Sequence, residues 1–265
     1  MSPHSSYHKV VNLVLVPAIW RIPGQLEGRD PQIGKQWWEW ACLLEKEWDK
    51  KPEYKCENVQ MAGLYHTCFD KKYKPTPPCL VYSFGIDNDF SFDDDMAKHG
   101  CEVYSFDPSM GVEDHQRSER VHFFNMGLAT TDSDSFEPVM DTYTFNKHQK
   151  WKIRTLSSIK KMLGHENRAI DILKIDIESY EWAVMNQILK DGLMDSVRQF
   201  LLEWHIFPNE PMRCDFKQMY ETYMELKKIG FRQFHKNGFQ RYHSFEYFNS
   251  QLDESLVNTM FKEKE

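Results

Sequence analysis

The 265 residues contain no G-x-G-x-x-G, no Cys-x-x-Cys pair and no Asn-x-Ser/Thr sequon. No apolar run approaches the roughly 18 to 20 residues that a bilayer-spanning helix needs. The missing glycine pattern removes the amide cradle that a dinucleotide's pyrophosphate requires, which makes a nicotinamide-dependent oxidoreductase a distant reading. The missing cysteine spacing excludes a zinc finger. The six cysteines are Cys42, Cys56, Cys68, Cys79, Cys101 and Cys214. Cys79 and Cys101 lie in apolar runs and read as buried free thiols, whereas Cys56 and Cys68, in polar sequence, are the pair to test for a disulfide. Positive charge is also short. With 33 Lys and Arg against 40 Asp and Glu the net charge is -7, so there is no global basic field for a phosphate backbone, and nucleic acid is a weaker partner than a small molecule. The one basic cluster, residues 147–154, reads as a solvated loop.

With 41% hydrophobic and 14% aromatic residues the chain can bury the core of one α/β domain with an extension. The first 30 residues carry Pro3, Pro17, Pro23, Gly24 and Gly28 and read as an irregular arm. Within it, residues 10–20 fit a short buried strand better than the core of a signal peptide. Residues 32–50, with Trp37, Trp40 and Trp48, show helical spacing suited to core packing more than to substrate stacking. The missing sequon leaves two compartments open, cytoplasm or secretory-pathway lumen.

What the chain does contain is a strand, turn, helix and strand. Leu80-Val81-Tyr82-Ser83-Phe84 is an apolar run suited to a strand covered on both faces. Gly85 permits a sharp turn and close approach of a ligand. Ser91 is placed to cap a helix with Asp94 at N3, and Gly100 to stop it. Cys101 to Phe106 forms the next strand, ending at Asp107, about 20 residues beyond the turn, where doubly wound sheets place an acid that accepts ribose hydroxyls. Asp87, Asn88 and Asp89 would repel a diphosphate but attract a cation, so the ligand with the best fit is S-adenosylmethionine, which carries a sulfonium and an amino group.

The alternation continues. Residues 120–128 read as a third strand running into a polar-and-glycine turn that would face the adenine, before an acidic loop at 130–134. A short helix follows at 156–163, then a fourth strand at 169–176, a helix with Trp182, Met185 and Leu189 on one face, a fifth strand at 199–205, a helix at 215–229, and a terminal hairpin made of 231–235 and 242–249. Asp107, Asp176 and Glu203 or His205 would then share the carboxyl edge of the sheet, where open α/β sheets bind ligands.

Val81 to Ile86, Ser91-Phe92-Asp93, Ser105 to Ser109, Leu173-Lys174-Ile175-Asp176-Ile177-Glu178 and Leu202-Glu203-Trp204-His205 occur in the order and spacing of a known family. Together they resemble the methyltransferase-like proteins related to the FkbM group, among the class I S-adenosylmethionine-dependent methyltransferases. The resemblance implies a Rossmann-like, seven-stranded, mostly parallel sheet with helices on both faces and a terminal antiparallel hairpin. It spans residues 56–249, with an N-terminal arm and Trp-rich helix at 1–55 and a tail at 250–265. It puts Gly85, Ile86 and Asp87 at the methionine moiety, Asp107 and Pro108 at the ribose, Asn125, Gly127 and Leu128 near the adenine, and Asp176 with Glu178 at the methyl-transfer edge. His205 is a candidate base or a structural hydrogen bonder. No metal is expected, because Asp176, Glu178, Glu203 and His205 lack ligand spacing. The function implied is methyl transfer to oxygen or nitrogen of a small or saccharide-like acceptor. The alternative is a non-catalytic interaction module with a degenerate pocket, since Ser83 and a lone Gly85 stand where many such enzymes have an acid and several glycines.

Overall fold

The structure, a computed structural model, describes residues 34–138, 149–206, 212–239 and 251–262. The expected strand at 10–20 lies outside them. In chain order the elements are α1 (Trp37–Trp48), β1 (Val59–Ala62), β2 (Tyr65–Cys68), β3 (Leu80–Phe84), α2 (Ser91–Lys98), β4 (Glu102–Phe106), β5 (His115–Gln116), β6 (Val121–Phe124), β7 (Gly127–Leu128), β8 (Ser133–Phe136) and β9 (Trp151–Arg154). There follow α3 (Leu156–Met162), β10 (Ile170–Ile175), α4 (Glu181–Lys190), β11 (Val197–His205), α5 (Phe216–Lys228), β12 (Phe231–Phe239) and β13 (Gln251–Asn258).

The main sheet runs β12-β13-β11-β10-β3-β4-β6-β5. Its middle, β11 through β6, is parallel; β5, β12 and β13 pair antiparallel. Among the described residues it has eight strands rather than seven, because two residues at His115–Gln116 add an edge to β6. Every residue of β3 and β10 is buried, as expected of central parallel strands covered on both faces. The chain leaves β3 toward β4 and β6 and returns to β10 on the other side. The strand order therefore reverses between β3 and β10, the place where such sheets bind ligands.

Several expectations need correction. The strand within 120–128 runs into a turn as expected, but the glycine end of that turn is itself a short strand. β6 stops at Phe124, and Gly127–Leu128 pairs instead with β9 in a separate three-stranded sheet that also holds β8; the basic run around Trp151 is thus partly strand. The hairpin's second strand is Gln251–Asn258, within the stretch read as a tail, and it sits between β11 and β12. Residues 242–249 lie outside the described ones.

Cys79 and Cys101 are not free thiols but a disulfide, and Cys56 and Cys68 form another. β3 and β4 run parallel with Leu80 opposite Glu102, so the residues just before them fall side by side, with Cα atoms 4.5 Å apart. Ser91 does not cap α2: Phe90 is the N-cap and the Asp89 carboxylate accepts the Ser91 amide at 2.9 Å. Asp94 instead pairs with Arg117 at 2.8 Å. The Trp-rich helix is core packing, as expected. Trp37 and Trp40 lie on Phe216 and Tyr220 of α5, and Trp48, Trp182 and Trp204 form a stack.

Candidate functional site

A cavity of about 530 Å³ opens at the carboxyl ends of β3, β4, β10 and β11. That volume is within the usual range for small-molecule sites. Its lining includes Gly85, Ile86, Asp87, Asp89, Asp107, Pro108, Gly127, Leu128, Asp176, Glu178 and Glu203, so most of the residues picked out from sequence come together there. Asn125 and His205 are not among the lining residues. The Asn125 amide donates to Asp114 at 2.7 Å, beside the cavity rather than in it.

One half of the site is the turn after β3. Asp107, only 4% exposed, accepts the Ile86 and Asp87 amides through Oδ2 at 2.8 and 2.9 Å. Its Oδ1 accepts the amide and hydroxyl of Ser109 at 2.8 and 2.6 Å. A carboxylate offers about four lone-pair positions, and the chain itself fills them. Asp107 therefore holds the β4 tip against the turn, whereas sequence spacing had reserved it for a ribose. Gly85 has φ +80, and a Cβ there would lie 1.6 Å from the carbonyl oxygen of Asp176. The glycine is needed because the backbone beyond β10 passes against the turn after its parallel neighbour β3, a tighter demand than room for a ligand. Asp87 and Asn88 follow with φ of 42 and 64, a left-handed bend that Asp and Asn tolerate better than other side chains.

The other half is an edge of acids from β10, α4, β11 and β13. His205, 1% exposed, has Nδ1 3.0 Å from Glu181 and Nε2 3.1 Å from Glu203 and 3.9 Å from Glu178. Burial alone would lower its pKa, but the Glu181, Glu203 and Glu178 carboxylates outweigh that and push it up to about 11. His205, hydrogen-bonded to Glu181 and Glu203 behind the cavity, thus favours its imidazolium form. Burial in turn raises the carboxyls of Glu181 and Glu203, with His205 opposing. Asp253 is pushed up to about 7 by burial and then by Glu203 and Asp176.

Asp176 accepts the Tyr65 hydroxyl at 2.9 Å. Burial and the Asp176 charge hold that phenol well above its ordinary range. Lys174 is the only basic residue in the described lining, and its ammonium donates to the carbonyls of Gly85 and Phe84. Ligand atoms of Asp176, Glu181 and His205 lie within 4.8 Å of one another; Glu181 is hydrogen-bonded to His205 and Asp176 to Tyr65.

Sequence reading missed Asp253, Tyr65 and an aromatic rim. Asp253 lay in the supposed tail. Tyr65 comes from a strand that precedes every motif. Phe136, Trp151 and Tyr180 line the same cavity from β8, β9 and the turn before α4, and nothing in their local spacing marks them.

Comparison with known proteins agrees with this geometry. The chain is 29% identical over 166 residues to the probable methyltransferase-like protein 24 of Rattus norvegicus, covering 60% of this chain and 43% of that one. It is 28% identical over 193 residues to the Homo sapiens protein of the same name, covering 71% and 50%. The chain thus spans about half the length of the curated relatives it matches. Among solved structures, a putative tRNA (m1A22) methyltransferase of Streptococcus pneumoniae, in complex with S-adenosyl-L-methionine, aligns at TM-score 0.34 and 8% identity over 71% of this chain and 70% of that one, too loosely to carry an argument. A family model described as a methyltransferase domain matches residues 24–249. That match takes in β3, β4, β10 and β11, at whose ends the cavity opens, and the chain belongs to this methyltransferase family.

Proposed function

We propose that the chain moves a methyl group from S-adenosylmethionine to an oxygen or nitrogen atom of an acceptor other than nucleic acid. The observation that carries this reading is the open cavity at the β3/β10 reversal, with acids on both sides and its one described lysine held by backbone carbonyls. The donor supplies a methyl carbon already activated by the sulfonium. The protein's task is to bind, align and, where needed, take a proton. The bend at Ile86 and Asp87 would hold the amino-acid end, with Pro108, Gly127 and Leu128 along the nucleoside. Asp107 serves by fixing the bend. An acid-rich lining favours the donor's charge and repels a phosphate backbone.

A non-catalytic module with a collapsed pocket is not favoured, since the cavity stays open. Kinship with the FkbM group is the narrower reading, supported by the Leu173 to Glu178 and Leu202 to His205 strings. The two disulfides support an oxidising compartment, the secretory-pathway lumen over the cytoplasm. Calorimetry of the full chain with S-adenosylmethionine tests the reading. Saturable binding, weakened in Asp107→Asn, is expected. No heat of binding at millimolar donor would refute it.

A further inference from the structure

Lys174 sits where a lysine is least expected. It belongs to β10, every residue of which is buried, and is itself only 5% exposed. Its register partners are Ser83 on β3 and Leu201 on β11, so it lies in the middle of the sheet. Lysines are almost never buried this far unless a counter-ion is paired with them. Among the described residues Lys174 makes no ion pair. Its ammonium donates to the carbonyls of Phe84 and Gly85, and the centre of the Tyr65 ring lies 4.9 Å away. Asp93 on α2 feels its charge, but that carboxylate accepts the Ser105 hydroxyl, and burial pushes the group up toward the neutral acid.

A second feature shows what completes these surroundings. An ammonium carries three hydrogens, and the two carbonyls account for two of them. The face of Tyr65 is attractive to the cation but does not neutralise it. Lys174 lines the cavity at the β3/β10 reversal, so a buried cation without an ion pair opens on the place where a ligand binds. The carbonyls that hold it belong to the tip of β3 and the bend beyond, and Asp87 and Asp89 of that bend line the same cavity. A zwitterionic group laid there meets a cation on one side and acids on the other.

Resting on the methyltransferase reading, we infer that Lys174 is the anchor for the donor's one anionic group, its ammonium receiving the α-carboxylate of S-adenosylmethionine while the Phe84 and Gly85 carbonyls hold it in position. The donor's ammonium then lies on the side of Asp87 and Asp89. Lys174 makes the site selective for a donor that keeps its carboxylate, and it fixes the amino-acid end against the bend after β3.

The full chain is titrated by calorimetry with two donors, S-adenosylmethionine and its decarboxylated form, which keeps the sulfonium and the amine. The decarboxylated form carries one more net positive charge, so acids in the lining acting alone would hold it at least as tightly. The wild-type chain is expected to bind S-adenosylmethionine about tenfold more tightly. Lys174→Gln, which keeps an amide donor for the carbonyls, should bring the two affinities together or reverse their order by weakening S-adenosylmethionine. If that variant does not fold, the wild-type comparison decides. Equal affinities in the wild-type chain, a preference for the decarboxylated form, or a preference left unchanged in Lys174→Gln because both donors weaken equally overturns the inference and leaves the methyltransferase reading standing. No binding of either donor strikes that reading, and the inference falls with it.

Discussion

The two halves of the ligand edge are made from similar residues and behave in opposite ways. At the β3 turn an acid is surrounded by donors, and every acceptor position of Asp107 is filled by amides and a hydroxyl of the chain itself. At the β10/β11 edge acids face each other, and His205 serves several at once. The first arrangement is complete without a ligand. In the second, burial and then neighbouring carboxylates raise Glu203 and Asp253. A carboxylate at a strand tip can therefore be scaffold or binding group, and its hydrogen-bond partners decide which.

If the turn is prebuilt scaffold, breaking it should be costly even without ligand. Gly85→Ala puts a Cβ 1.6 Å from a backbone oxygen and should lose more than about 4 kcal/mol, or fail to fold, in denaturant titration. Replacing both Cys79 and Cys101 with alanine removes the tie across 22 residues beneath the turn and should cost about 3 kcal/mol by the same titration. Asp107→Asn turns an acceptor into a donor facing amides, so about 2 kcal/mol of stability should go. Donor affinity in the same variant should fall with it.

The acid half should respond with the opposite sign. Because Asp253 is pushed up to about 7, its protonated form is favoured in the folded chain. The group supports folding fully below the ordinary carboxylate range and loses that support as pH rises to about 7. Its Oδ1 is buried without a hydrogen-bond partner. Asp253→Asn should therefore raise the melting temperature at pH 8 relative to pH 5, the smallest of these effects. An equal shift at both pH values would mean that the carboxyl is not crowded by Glu203 and Asp176.

Much of this was legible in the sequence for a physical reason. Short runs rich in apolar and β-branched residues, such as Leu80–Phe84 and Ile170–Ile175, suit central strands, and the residues just beyond them mark the edge where ligands bind. What could not be read was pairing over distance. Gln251–Asn258 enters the sheet antiparallel beside β11, and no local pattern separates it from a tail. The Cys79–Cys101 bond was recoverable in principle, since adjacent parallel strands in register set their preceding residues side by side. Spacing predicted where Asp107 lies but not that its own chain would occupy it. His205 shows the same limit, because the carboxylates around it, from α4, β11 and the turn after β10, raise its pKa.

The central claim, that an acid-lined edge receives a cationic donor, is tested most directly by titrating the full chain with S-adenosylmethionine at pH 7 in two buffers of different ionisation enthalpy. A cation arriving beside Glu203 and Asp253 should lower both carboxyls and drive protons off, so the account predicts saturable binding with net proton release. Binding with no proton exchange, or no binding at all, would contradict it.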